Sequence, residues 1–204
     1  MSRTKYYESL KKLARDVRDE HGLTSARVMP SEIKMILKSK GVKEIVLFHD
    51  FKNLRGAYMI EDGFPIVVVK KGLPPDPYAF TLGHELKHHL VDQEFGSLIC
   101  TNKNIGEEIE IGAEIFSAEL LYPEQLFLYD IQKRIGSREC APEDIVHLKK
   151  ETSTTLSYAG LTKRVLFLKL AKEKNFEKIP WKTLEEKIFG IPFYKSRNSP
   201  KKTN

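Results

Sequence analysis

Phe80-Thr81-Leu82-Gly83-His84-Glu85-Leu86-Lys87-His88-His89-Leu90 places two histidines four positions apart, with a glutamate directly after the first. On an α-helix, residues four apart share a face, so His84 and His88 can reach one metal ion. Glu85 projects from the neighbouring surface, where a carboxylate can move a proton without being a ligand. In a chain with 6 His and 20 Glu, chance yields roughly 0.02 such H-E-x-x-H sequences.

Working outward, residues 72–77 form a break containing Pro74, Pro75 and Pro77. Asp76 is the expected N-cap, Pro77 the first helical residue, and Asp92 about the last. Upstream, residues 44–49, 56–60 and 64–70 are short, rich in β-branched and aromatic residues, and separated by turn formers. Asp62-Gly63 is the expected hairpin turn between the last two. Before these strands, helices are expected over 6–21 and from Pro30 to Gly41. Downstream, helices are expected over 105–121, 124–135, 142–151, 156–174 and 182–189. Helices, then a small three-stranded sheet, then helices again predict an α+β fold.

A catalytic zinc site usually takes three protein ligands and leaves a position for water. The extension H-E-x-x-H-x-x-G-x-x-H fails here, because Val91 and Glu94 stand where glycine and histidine are needed. A carboxylate from the 105–121 helix is the alternative. Glu110 and Glu114 are four apart beside an apolar face of Ile109, Ala113, Phe116 and Leu120, and a dication explains an acidic pair there. One of the pair would be the ligand and the other an acceptor for a histidine N–H. Zinc suits a His₂Glu set best, and manganese and iron are also compatible with these ligand types.

These residues resemble the ImmA/IrrE family of metallopeptidases, whose members show F-T-x-x-H-E-x-x-H and then E-x-x-A-N-x-F-A-x-x-L-L-x-P. The second pattern corresponds to Glu110-Ile111-Gly112-Ala113-Glu114-Ile115-Phe116-Ser117-Ala118-Glu119-Leu120-Leu121-Tyr122-Pro123. The resemblance implies His84, His88 and Glu110 as metal ligands and Glu85 as the catalytic carboxylate, with Glu114 where asparagine is common. Lys87 replaces a common glycine, which predicts a bulkier and more basic helix surface near the site.

The resemblance covers roughly residues 8–125 and implies a zincin-like core, expected over 1–136; the helical pattern beyond it predicts a C-terminal subdomain over 137–192, and composition a basic disordered tail over 193–204. The resemblance also implies an endopeptidase acting through metal-activated water. Family members are bacterial, phage or mobile-element proteins, and several cleave helix-turn-helix repressors in stress or DNA-damage responses. Such a repressor is the expected protein partner.

Composition bounds the reading. The 204 residues carry 34 Lys+Arg against 28 Asp+Glu, a net charge of +6. Direct nucleic-acid binding is one reading of that excess, but a solvated lysine-rich surface is the plainer one, and Lys195, Arg197, Lys201 and Lys202 lie in the tail. The longest apolar stretches, 65–69 and 165–168, fall far short of the ~20 residues of a bilayer span. No apolar secretory segment follows the N-terminus, and Cys100 and Cys140 cannot build a disulfide framework, so the cytoplasm is the expected compartment.

The alternative function is a non-proteolytic DNA-binding or protein-interaction regulator with a structural or degenerate metal site. Residues 142–170 would then form a helix-turn-helix-like pair carrying Lys149, Lys150, Lys163 and Arg164. Ile145, Leu148, Leu156, Leu161, Val165 and Leu168 equally fit helices that pack. Of the other candidates, His89 is expected to be exposed, His49 to face a turn or assist an oxyanion, and Tyr122 and Tyr158 to be oxyanion donors without a spacing argument.

Overall fold

A computed structural model describes residues 2–96 and 106–190. The tail expected over 193–204, Cys100, and the expected helix start at Ile105 lie outside those residues. The chain divides into two compact units, Met1–Phe127 with Thr154–Ser157, and Leu128–Ser153 with Tyr158–Asn204.

In the first unit, α1 (Arg3–Glu20) begins at Ser2, whose hydroxyl accepts from the Lys5 N–H. α2 (Pro30–Ser39) has proline at its start, and Glu32 reaches back to accept from the Met29 N–H at 2.6 Å. β1 (Glu44–Phe48), β2 (Gly56–Glu61) and β3 (Phe64–Lys70) follow. Their order is β1-β3-β2, with β1 parallel and β2 antiparallel to the central β3. Asp62 and Gly63 both have positive φ, 51° and 80°, as a two-residue hairpin turn between paired Glu61 and Phe64 requires. The α+β expectation and all three strands are therefore found.

α3 (Pro75–Val91) packs on α2 and on β2 and β3, while α4 (Glu107–Leu121) packs between α1 and α3. α3 starts earlier than expected. Pro74 is its cap and Pro75 its first residue, because a proline there needs no N–H partner. Asp76 lies instead in the first turn, where its carboxylate meets the positive end of the helix.

Two glycines let the helices approach closely. A Cβ on Gly83 would lie 3.3 Å from Ser117 Oγ, and one on Gly112 2.8 Å from Leu10 Cδ1. Arg18, buried at 3% exposure, donates to the carbonyls of Leu120 at 2.6 Å and Ser25 at 2.8 Å. It thereby satisfies a carbonyl at the end of α4 that has no partner within the helix. Buried Glu119 accepts from Arg15 and from the Glu124 N–H, which caps the next helix, α5 (Glu124–Ile135).

In the second unit, α6 (Pro142–Thr152) packs against α7 (Tyr158–Phe167) and α8 (Trp181–Phe189). Ile145, Leu148, Leu161 and Val165 are buried, as the packing reading of these helices requires. The single helix expected over 156–174 is shorter. Lys169 adopts φ 55°, and the N–H groups of Leu170 and Lys169 bond to the Val165 and Leu166 carbonyls, which closes α7 with a Schellman turn. A lysine rather than a glycine takes the left-handed position, so no sequence signal marks the stop. No helix among the described residues is long and apolar enough to cross a membrane.

Candidate metal centre

α3 carries His84 and His88 one turn apart, with ring centroids 4.8 Å apart and planes at 68°. α4 brings Glu110 to them: its Oε2 lies 3.3 Å from His84 Nε2, and its Oε1 3.5 Å from His88 Nε2. One ligand atom from each of the three residues falls within 4.8 Å of the other two. The His88 approach is long at 3.5 Å, and Glu110 Oε1 is buried with no close hydrogen-bond partner among the described residues. Such an atom is costly unless something positive meets it. Two imidazoles and a carboxylate are a donor set that fits zinc.

The electrostatics point the same way. Burial disfavours a charge on His88, but the carboxylates of Asp92, Glu110 and Glu85 outweigh it and raise the imidazole to about 9. Burial likewise opposes charge on Glu110, but the two histidines hold it well below the usual carboxylate range. The cluster therefore favours positive charge at its centre.

His88 Nδ1 lies 2.7 Å from Asp92 Oδ2. A carboxylate oxygen accepts, so the ring donates from Nδ1 and Nε2 is the nitrogen that faces Glu110. Glu85 is buried at 1% exposure. Its carboxylate lies against β2, where a Cβ on Gly56 would stand 2.4 Å from Glu85 Oε1 and 2.5 Å from Thr81 Cγ2. Glycine at that strand position makes room for the carboxylate.

Of the candidates from sequence, His84, His88 and Glu110 come together. The three-residue ligand cluster holds Glu110 and not Glu114, which lies one helical turn beyond it and is exposed, and Asp92 is the acceptor on His88 Nδ1. Sequence reasoning missed Asp92, although it stands four residues after His88 and so on the same helix face.

Two neighbours also correct the expectations. Lys87 is fully buried rather than part of a basic surface, with Nζ 2.6 Å from Asp92 Oδ2 and 3.2 Å from the Ile109 carbonyl. His89 is buried rather than exposed. Its Nε2 lies 2.8 Å from the Lys40 carbonyl and its Nδ1 3.2 Å from the Tyr58 hydroxyl, so it ties α3 to the end of α2 and to β2.

The remaining candidates are placed as follows. His49 is exposed just beyond β1. Tyr122 is buried with its ring edge on Phe127. In the second unit, Tyr158 stacks flat on Trp181 and donates to Glu185. Burial pushes the Cys140 thiol up to about 12, so it is a packing residue rather than a reactive one.

A helix bearing two histidines, a carboxylate from the next helix, and a small mixed sheet beneath them define a metallopeptidase-type protein. The IrrE N-terminal-like domain family, Peptidase_M78, matches residues 36–154, and the chain belongs to it. Its members are metallopeptidases, and a peptidase takes protein substrates. No curated protein matches the chain.

Proposed function

We propose that the chain is a zinc-dependent endopeptidase of the H-E-x-x-H type, held by His84, His88 and Glu110, with Glu85 as the catalytic carboxylate. The observation that carries the proposal is the convergence of the two Nε2 atoms on the two oxygens of Glu110, with one ligand atom from each residue within 4.8 Å of the others. A dication bound there supplies Lewis acidity for the scissile carbonyl and acidifies water for amide hydrolysis.

The protein's own groups do the rest. Asp92 holds the His88 ring with its Nε2 outward. Gly56 leaves room for the Glu85 carboxylate, which takes a proton from the attacking water and returns it to the leaving nitrogen. The substrate we assign is a helix-turn-helix transcriptional repressor, cleaved in the cytoplasm in a stress or mobile-element response. This part rests on the resemblance of the two motifs to the ImmA/IrrE family.

The test is Glu85→Gln in the full chain. Zinc stoichiometry should stay at the parent level while cleavage of a repressor encoded beside this gene disappears, and a chelator should abolish cleavage by the parent. Unchanged cleavage in Glu85→Gln would remove Glu85 from the chemistry. Stoichiometric zinc in both His84→Ala and His88→Ala would place the metal elsewhere.

A further inference from the structure

Lys87 sits in the middle of the H-E-x-x-H sequence, yet none of the chemistry above uses it. Its ammonium is wholly buried, a costly place for a charge. Among the described residues, three groups lie close to it. Asp92 Oδ2 is 2.6 Å away, the Ile109 carbonyl 3.2 Å, and the Tyr6 ring centroid 5.8 Å. The first of these is the same oxygen that accepts from His88 Nδ1. The second belongs to the residue immediately before Glu110, in the first turn of α4.

From this shared geometry we infer that Lys87 is a positioning residue of the metal centre, locking Asp92 against His88 and pinning the first turn of α4 so that Glu110 meets the two histidines. One ammonium thus bridges the two helices that supply the ligand set. Without Lys87, the Asp92 carboxylate loses the ammonium that fixes its position and is held by His88 alone, and α4 loses its side-chain tie to α3 at Ile109.

The inference rests on the metal-centre reading above, and the two fail differently. Metal-free full-length protein is titrated with zinc(II) against a chromophoric chelator, and with cobalt(II) read by its visible absorption. One zinc bound by the parent and lost in His84→Ala supports the centre itself, while a parent that binds none removes the centre and this inference with it.

Lys87→Met, which keeps the aliphatic stem, should weaken zinc binding by about 10–100-fold and change the cobalt spectrum. A purely electrostatic role has the opposite sign, because removing a nearby positive charge tightens cation binding. Zinc affinity at or above the parent's, with an unchanged cobalt spectrum, would therefore overturn the inference.

Should Lys87→Met fail to fold, Lys87→Met/Asp92→Asn removes both buried charges and keeps the test open. That double variant should melt closer to the parent and still bind zinc at least tenfold more weakly; parent-like affinity in it would also overturn the inference. The loss that the double variant shares with Asp92→Asn measures the tie to Asp92, and any part beyond it measures the tie to Ile109. Losses that multiply would mean that Lys87 does not act through Asp92.

Discussion

Gly56→Ala tests whether the placement of the Glu85 carboxylate matters to function. The added methyl would stand 2.4 Å from Glu85 Oε1 and 2.5 Å from Thr81 Cγ2, whereas ordinary van der Waals contact begins near 3.4 Å. Glu85 must then retreat by about 1 Å, and a misplacement of that size costs on the order of 10²-fold in rate. Glu85 is not in the ligand set, so zinc affinity should hold within twofold. Overpacking should cost roughly 1–3 kcal/mol of stability. The assay pairs turnover of quenched-fluorescent peptides by the zinc-loaded protein with zinc competition and urea unfolding on the same preparation. Parent-like turnover in a folded variant would refute the link between this close approach and catalysis. A parallel loss of zinc affinity would show instead that α3 as a whole had moved.

The metal-free protein should have a distinctive pH profile. His88, raised from 6.5 to about 9, contributes stability that is complete below 6.5 and is lost as pH rises through 9. Glu110, held below its ordinary 4.5, contributes above that value and loses its effect in acid. With chelator present, the melting temperature should peak between about pH 5 and 6.5 and fall toward 9. With zinc the added stability should grow over that interval, because binding needs unprotonated Nε2 atoms; a profile unaffected by zinc would contradict both assignments. Arg18→Met strips the Leu120 and Ser25 carbonyls of their donor. Urea unfolding should show a loss of about 2–5 kcal/mol, and a loss below 1 kcal/mol would mean that water replaces the guanidinium there.

Much of the fold was legible because its signals are local. Pro30 opens α2, Asp62-Gly63 turns the hairpin, and the β-branched run of 64–70 makes β3. The site was legible where spacing dictates geometry, since a four-residue step on one helix leaves His84 and His88 few alternatives. Glu110 against Glu114 was not decidable from periodicity, because both lie on one side of α4 and it is the packing of α4 on α3 that brings Glu110 beside the histidines. Lys87 and His89 were misread for a related reason. Polar side chains on a helix are ordinarily solvated, and nothing local says that Asp92, Ile109, Tyr58 and Lys40 will enclose them. The early end of α7 was invisible because Lys169 takes a conformation usually marked by glycine.

The adjacent residues His88 and His89 divide the labour of α3 between its two sides. His89 anchors the helix to α2 and β2 through Lys40 and Tyr58, and none of those contacts involves a metal ligand. The scaffold is thus moored from behind the reactive side, unlike zinc fingers, whose folding depends on the ion. On the proposed function, metal loading would then act on a chain already assembled and would not require refolding.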